Sequence, residues 1–158
     1  MRSTYGLLIV SLLLFLFGVW FVIVGVRARS VRPAAPAVAS VLELMDGIVV
    51  PASGVVYDSV ATTVSREGVK ETRPQNDREW QRVAGSAAAL IEAAQLLTVE
   101  GRGRESEDWG AIAKAMGDAA AQVRAAAQKK DAEGILAGGE LLNNSCDNCH
   151  RKFQVPVE

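Results

Sequence analysis

Cys146-Asp147-Asn148-Cys149-His150 lies eight residues from the C-terminus, and the 158-residue chain has no other cysteine and no other histidine. C-x-x-C-H is the attachment signature of a c-type haem: two thiols add across the haem vinyl groups, and the imidazole takes one axial position on iron. Positions i, i+3 and i+4 share one face of a helix, so Cys146, Cys149 and His150 can address one ring while the backbone stays helical. The motif therefore requires a helix at the end of the chain with one face given over to a cofactor. Three rivals stand beside that reading. A redox dithiol normally opens a helix after a strand, where the helix N-terminus lowers the thiol pKa; this pair sits near the end of a helical pattern with no strand expected before it. A structural zinc needs about four N or S ligands, and only carboxylates could complete a set begun by these three residues. The third rival is a plain structural pair of cysteines.

Residues 6–26 form an uncharged apolar run of 21 residues, long enough to cross a ~30 Å hydrocarbon layer as a helix. Arg2 precedes the run, Arg27, Arg29 and Arg32 follow it, and Tyr5 and Trp20 suit an interface. A cleaved secretory signal is the alternative, but its apolar region is shorter, about 7 to 15 residues. The nearest A-x-A site, Ala37-Val38-Ala39, also lies well downstream of the run. The expectation is an uncleaved transmembrane anchor with a stiff Arg/Pro/Ala linker over residues 1–36, then one domain over residues 37–158. A formal charge of −1 leaves no electrostatic footprint for nucleic acid, and no such partner is expected.

Downstream, apolar residues recur at three- and four-residue spacing in four segments. The first starts near Ala37 and carries Val38, Val41, Leu42, Met45, Ile48, Val49, Ala52, Val55 and Val56. Pro51 presses on the carbonyl of Gly47, which predicts one bent helix. Residues 62–75 read as a loop. The second helix opens at Asn76, which can exchange caps with Glu79, and repeats Trp80, Val83, Ala87, Leu90, Ala94 and Leu97 as a heptad seam. The third starts at Ser106 and buries Trp109, Ile112, Met116, Ala119, Val123 and Ala126. Asp131 caps the fourth, on which Ile135, Gly139, Leu142, Cys146, Cys149 and Phe153 continue the seam, with Gly138 and Gly139 leaving room for a close neighbour. The expected fold class is all-α: an antiparallel, up-down-up-down four-helix bundle preceded by one N-terminal transmembrane helix. Trp80 and Trp109 read as core or bundle-end packing rather than cofactor contacts.

A four-helix bundle with C-x-x-C-H near the end of its last helix resembles the class II cytochromes c, the cytochrome c′ and cytochrome c556 group, over roughly residues 37–153. In the other large class the motif lies near the N-terminus and a methionine ligand follows it, an arrangement that the short tail after His150 excludes. The resemblance implies one covalent haem c, with Cys146 and Cys149 as the thioether positions and His150 as the proximal iron ligand. It also implies a first-helix residue over the distal face of iron, a methionine in the low-spin c556 type and an apolar side chain in the five-coordinate c′ type. Met45 is the matching residue, as ligand or as distal cover; at 1.5 Å per residue it and His150 fall within about 12 to 13 Å of the same bundle end. The same count admits Met116, whose place in the seam favours a core role. Arg151 and Lys152 stand nearer the histidine than the group's usual basic residue; they would meet haem propionates, or else face solvent and compensate the helix C-terminus.

Haem attachment in this group occurs on the outer side of the bacterial inner membrane, whereas the arginines after the apolar run favour a cytoplasmic domain. With the haem motif weighted above the charge bias, the expected localisation is the bacterial inner membrane, single-pass, with the haem domain on the periplasmic side. The function the resemblance implies is single-electron transfer between redox partner proteins of the membrane or periplasm. The alternative is a cytochrome c′-like protein that binds or senses nitric oxide or carbon monoxide. Homodimers through the first two helices are common in the group. With no second histidine for acid–base work and no nucleophile motif, an enzyme is not expected.

Overall fold

The computed structural model describes residues 2–29, 37–66, 68–103 and 106–154. The chain divides into two compact units, Met1–Ala35 and Pro36–Glu158. The first unit holds helix α1 (Arg2–Arg29). Among the described residues no helix is long and apolar enough to cross a membrane. This corrects the expected transmembrane helix, and with it the single-pass placement in the bacterial inner membrane with the second unit on the periplasmic side. Most of the Arg/Pro/Ala linker lies outside the described residues.

The second unit opens on a capping box that the reading of the sequence missed. The Ser40 hydroxyl accepts a hydrogen bond from the Glu43 backbone N–H at 3.2 Å, and the Glu43 carboxylate accepts one from the Ser40 backbone N–H at 2.8 Å. Helix therefore begins at Val41 rather than near Ala37, and Val38 is left exposed. Three segments then follow in one helical path: α2 (Val41–Leu44), a π-helical turn (Met45–Val49) and α3 (Val50–Ser59). Pro51 has no N–H to donate, and its ring crowds the Gly47 carbonyl. The turn before it opens to i→i−5 bonding, the Val50 N–H donating to the Met45 carbonyl, so the chain continues past the proline. The extra residue in that turn resets the apolar phase. Leu44, Val49, Ala52 and Val56 are buried, while Leu42 and Ile48, expected inside, are exposed.

After α3 the chain forms a hairpin of β1 (Ala61–Ser65) and β2 (Gly68–Thr72), paired antiparallel with Val64 opposite Val69 and Thr62 opposite Glu71. β-Branched residues favour the strands, and Gly68 turns the chain at φ +131°, a value side chains rarely adopt. The hairpin corrects the all-α expectation and replaces the loop predicted over residues 62–75.

Helices α4 (Asp77–Leu96), α5 (Glu107–Gln128) and α6 (Ala132–Phe153) complete the unit. Each has a side-chain cap: Asn76, Ser106 and Asp131 accept hydrogen bonds from the backbone N–H of Glu79, Trp109 and Gly134. Their seams meet in one core in which Val56, Leu90, Val123, Ile135 and Leu142 are essentially inaccessible, each such side chain contributing about 1.5–3 kcal/mol. Contacts between helix ends set the directions. Lys130, just past α5, pairs with Asp77 at the start of α4, and the Trp109 indole at the start of α5 donates to the Leu97 carbonyl at the end of α4. Lys152 at the end of α6 pairs with Asp108 at the start of α5, and the Arg102 guanidinium donates to the Ala39 carbonyl just before α2. The start of α2, the end of α4, the start of α5 and the end of α6 therefore share one end of the unit. Close packing joins α5 to both α4 and α6, and contact between α3 and α6 is slight.

Candidate functional site

The Cys146–His150 pentapeptide occupies the penultimate turn of α6, at the shared end. Two turns earlier α6 is pressed onto α5: a Cβ on Gly138 would lie 2.8 Å from Val123 Cγ2 and 3.0 Å from the Val123 backbone nitrogen. That approach holds one side of α6 against α5. On the other side, where α6 and the first helix make little contact, a cleft opens. Cys146, Cys149 and His150 all line it, together with Met45, Val49, Val50, Ser53 and Tyr57 from the first helix and Trp109, Ile112, Ala113 and Met116 from α5.

The two thiols are half-buried and unbridged. Burial pushes the Cys146 thiol above its ordinary pKa, with hydrogen bonds to Ser145 and Tyr57 pulling the other way. Burial, and then the neighbouring Cys146, raises Cys149 as well. A redox dithiol is tuned in the opposite direction, towards thiolate at a helix N-terminus. Among the described residues no three His, Cys, Asp or Glu side chains group as metal ligands, which is what a zinc site would require. Two thiols and one imidazole on an apolar cleft are the donor set that a flat apolar group with two points of attachment would use. Its thioethers would come from Cys146 and Cys149, its axial nitrogen from His150, and its surround from Val49, Val50, Ile112 and Ala113.

The two methionines differ in setting. Met45 is half-buried and packs against the edge of the core from the first helix, whereas Met116 is 5% exposed and part of the core itself. Met45 sits in the π-helical turn, so the turn that accommodates Pro51 also sets which way residue 45 faces. Arg151 and Lys152 do not line the cleft. Arg151 bonds the Asn148 side chain one turn back, and Lys152 pairs with Asp108 while its ammonium lies 5.9 Å from the Phe153 ring centre.

Among the cleft residues that sequence did not single out as such, two stand out. Trp109 is both core and wall: its indole N–H is fixed on the Leu97 carbonyl at 2.8 Å, and its ring meets Phe153 edge-on at 5.2 Å. The seam showed that Trp109 is buried, but not that the far side of its ring faces a cleft. Tyr57 is 38% exposed, and its hydroxyl is pushed up to about 12, chiefly by burial and then by Cys146. It lies twelve residues after Met45 across a π turn, and that turn breaks the periodicity by which it would have been found. No family model, no curated protein and no solved structure matches the chain.

Proposed function

We propose that the chain is a c-type cytochrome with one covalently attached haem, carrying single electrons between redox partner proteins. One observation carries the reading: the chain's two cysteines and its one histidine line the same apolar cleft, with Met45 on its facing helix. When bound, the haem supplies the one-electron Fe(III)/Fe(II) chemistry. The protein's part is attachment, ligation and burial. Cys146 and Cys149, one helical turn apart, would hold the ring by two thioethers. His150 presents its imidazole from the exposed end of the motif. Val49, Ile112 and Ala113 would border the bound ring on its apolar side, and burial of that side would bear on the potential.

Met45 carries the distinction between an electron carrier and the alternative, a five-coordinate protein that binds nitric oxide or carbon monoxide. A thioether reaching the cleft from a half-buried position supports the carrier, because a side chain at the edge of a core can turn without leaving a cavity behind.

The test is attachment. Produced with a haem-attachment apparatus, the full chain should hold colour through denaturation and acid–acetone extraction and give a c-type pyridine haemochrome. Cys149→Ala should remove one thioether and weaken retention. Complete loss of haem on extraction of the wild-type chain would refute the reading.

A further inference from the structure

The cleft has a neighbour. A second groove runs between α3 and α6, lined by Val56, Val60, Leu136, Gly139 and Glu140, and two residues, Tyr57 and Asn143, line both it and the cleft. Asn143 reaches towards Asp147, one turn on, at 3.3 Å, so its side chain lies along its own helix. Tyr57 is the residue that crosses from the first helix. Its ring rests over Gly139, where a Cβ would lie 3.9 and 4.0 Å from Cδ1 and Cε1. With no side chain at 139, the ring can lie along α6 on the side where Cys146 follows seven residues further on.

We infer that the Tyr57 ring closes the cleft against the α3/α6 groove and shields the Cys146 sulfur on the cleft side. The inference rests on the haem reading for its purpose but not for its geometry. The ring is what matters. Without it the cleft and the groove would be one continuous opening, and water would reach the edge of the ring beside Cys146.

Two measurements test this on the full chain. In the haem-free chain, the rates at which a bulky maleimide and small iodoacetamide modify Cys146 are measured by peptide mass spectrometry. Their ratio cancels the thiolate fraction and reports access alone. Tyr57→Ala should raise that ratio severalfold at Cys146 and leave it unchanged at Cys149, and Tyr57→Phe, which keeps the ring, should stay at the wild-type ratio. An unchanged ratio in Tyr57→Ala, or an equal rise at both cysteines, overturns the shielding role. In the haem-loaded chain, Tyr57→Ala should shift the midpoint potential downward, because water at the ring edge favours the more charged ferric state. Tyr57→Phe should shift it less. No shift in Tyr57→Ala refutes the role at the cofactor, and a chain that takes up no haem refutes the parent reading while leaving the thiol-access result standing.

Discussion

Gly138 sets how closely α6 lies against α5, and its substitution by alanine has a sign that helix propensity alone would get wrong. In a helix interior Gly→Ala is worth about 1 kcal/mol in favour of the fold. At Gly138 the added methyl would lie 2.8 Å from Val123 Cγ2 and 3.0 Å from the Val123 backbone nitrogen. Val123 can turn its methyl away only at the cost of a poorer rotamer, and its backbone nitrogen cannot move unless the helix moves. Overpacking of that kind costs about 1–3 kcal/mol, and because backbone is involved the upper part of the range applies. The expected net result is destabilisation by about 1–2 kcal/mol, the propensity gain being outweighed. Gly85, on α4, is the control, since a Cβ there meets nothing within 4 Å; Gly85→Ala should stabilise by about 0.5–1 kcal/mol. Urea unfolding of the full chain, followed by far-ultraviolet circular dichroism, should give a lower midpoint for Gly138→Ala and a higher one for Gly85→Ala, with unchanged slopes. A Gly138→Ala midpoint at or above that of Gly85→Ala would show that the α5–α6 approach is not close, and the account of what opens the cleft would fail with it.

Met45→Leu keeps volume and apolarity and should cost less than about 1.5 kcal/mol of stability; in the proposed haem-loaded chain with Met45 as a ligand, it should abolish the low-spin ferric spectrum and let the reduced protein bind carbon monoxide. If the absorption spectrum is unaltered by Met45→Leu but altered by Met116→Leu, the ligand comes from α5 instead. Lys130 has φ +58°, and around it α5 ends in a Schellman motif, the N–H of Asp131 donating to the Ala126 carbonyl and that of Lys130 to the Ala127 carbonyl. Lys130→Gly should therefore raise the urea midpoint by relieving roughly 1 kcal/mol of left-handed strain. The hydrogen bond and charge of Lys130 hold the exposed Asp77 carboxyl below its usual range, so the pair favours the wild-type fold at neutral pH and loses that contribution as the pH falls through the depressed pKa. The advantage of Lys130→Gly should therefore grow on acidification, and an advantage that shrinks would refute the pairing.

Legibility from sequence followed burial. On α4, α5 and α6 the three- and four-residue spacing marked Val83, Leu90, Met116, Val123, Ile135 and Leu142, and all are buried; the Asn76, Ser106 and Asp131 caps lie where short polar side chains precede those patterns. The hairpin was missed because strands are recognised by alternation, and alternation requires one buried face. Val64 and Val69 are 75% and 66% exposed and pack on nothing that would impose it. The first helix was read in part correctly: Val49, Ala52 and Val56 are buried as the spacing predicted, but Leu42 and Ile48 are exposed and Leu44 is buried, because the π turn gains a residue that a steady period of 3.6 does not contain. Of the cleft, the three residues of the pentapeptide were legible because their chemistry is local. Tyr57 was not, because its role depends on a glycine some eighty residues away in the chain.

The cleft has a common cause with two features that would otherwise count as defects. Pro51 in mid-helix and paired glycines in α6 each cost helical stability when considered alone. Gly138 lets α6 move towards α5, and whatever α6 gains there it withdraws from the first helix, where contact is slight. The gap so formed would be a cavity lined by Val49, Val50 and Ile112, and an empty apolar cavity is destabilising in proportion to its size. A ligand that fills it stabilises the fold by binding the native state alone. The π turn at Met45–Val49 then places Met45 and Val49 on the lining of that gap. Such turns are rare and concentrate at functional sites. A chain that carries a helix-breaking residue on one wall, a close-approach glycine behind the other, and its two thiols and single imidazole between them has a fold whose irregularities converge on one place. That convergence, more than any single residue, supports the proposal of a cofactor cleft.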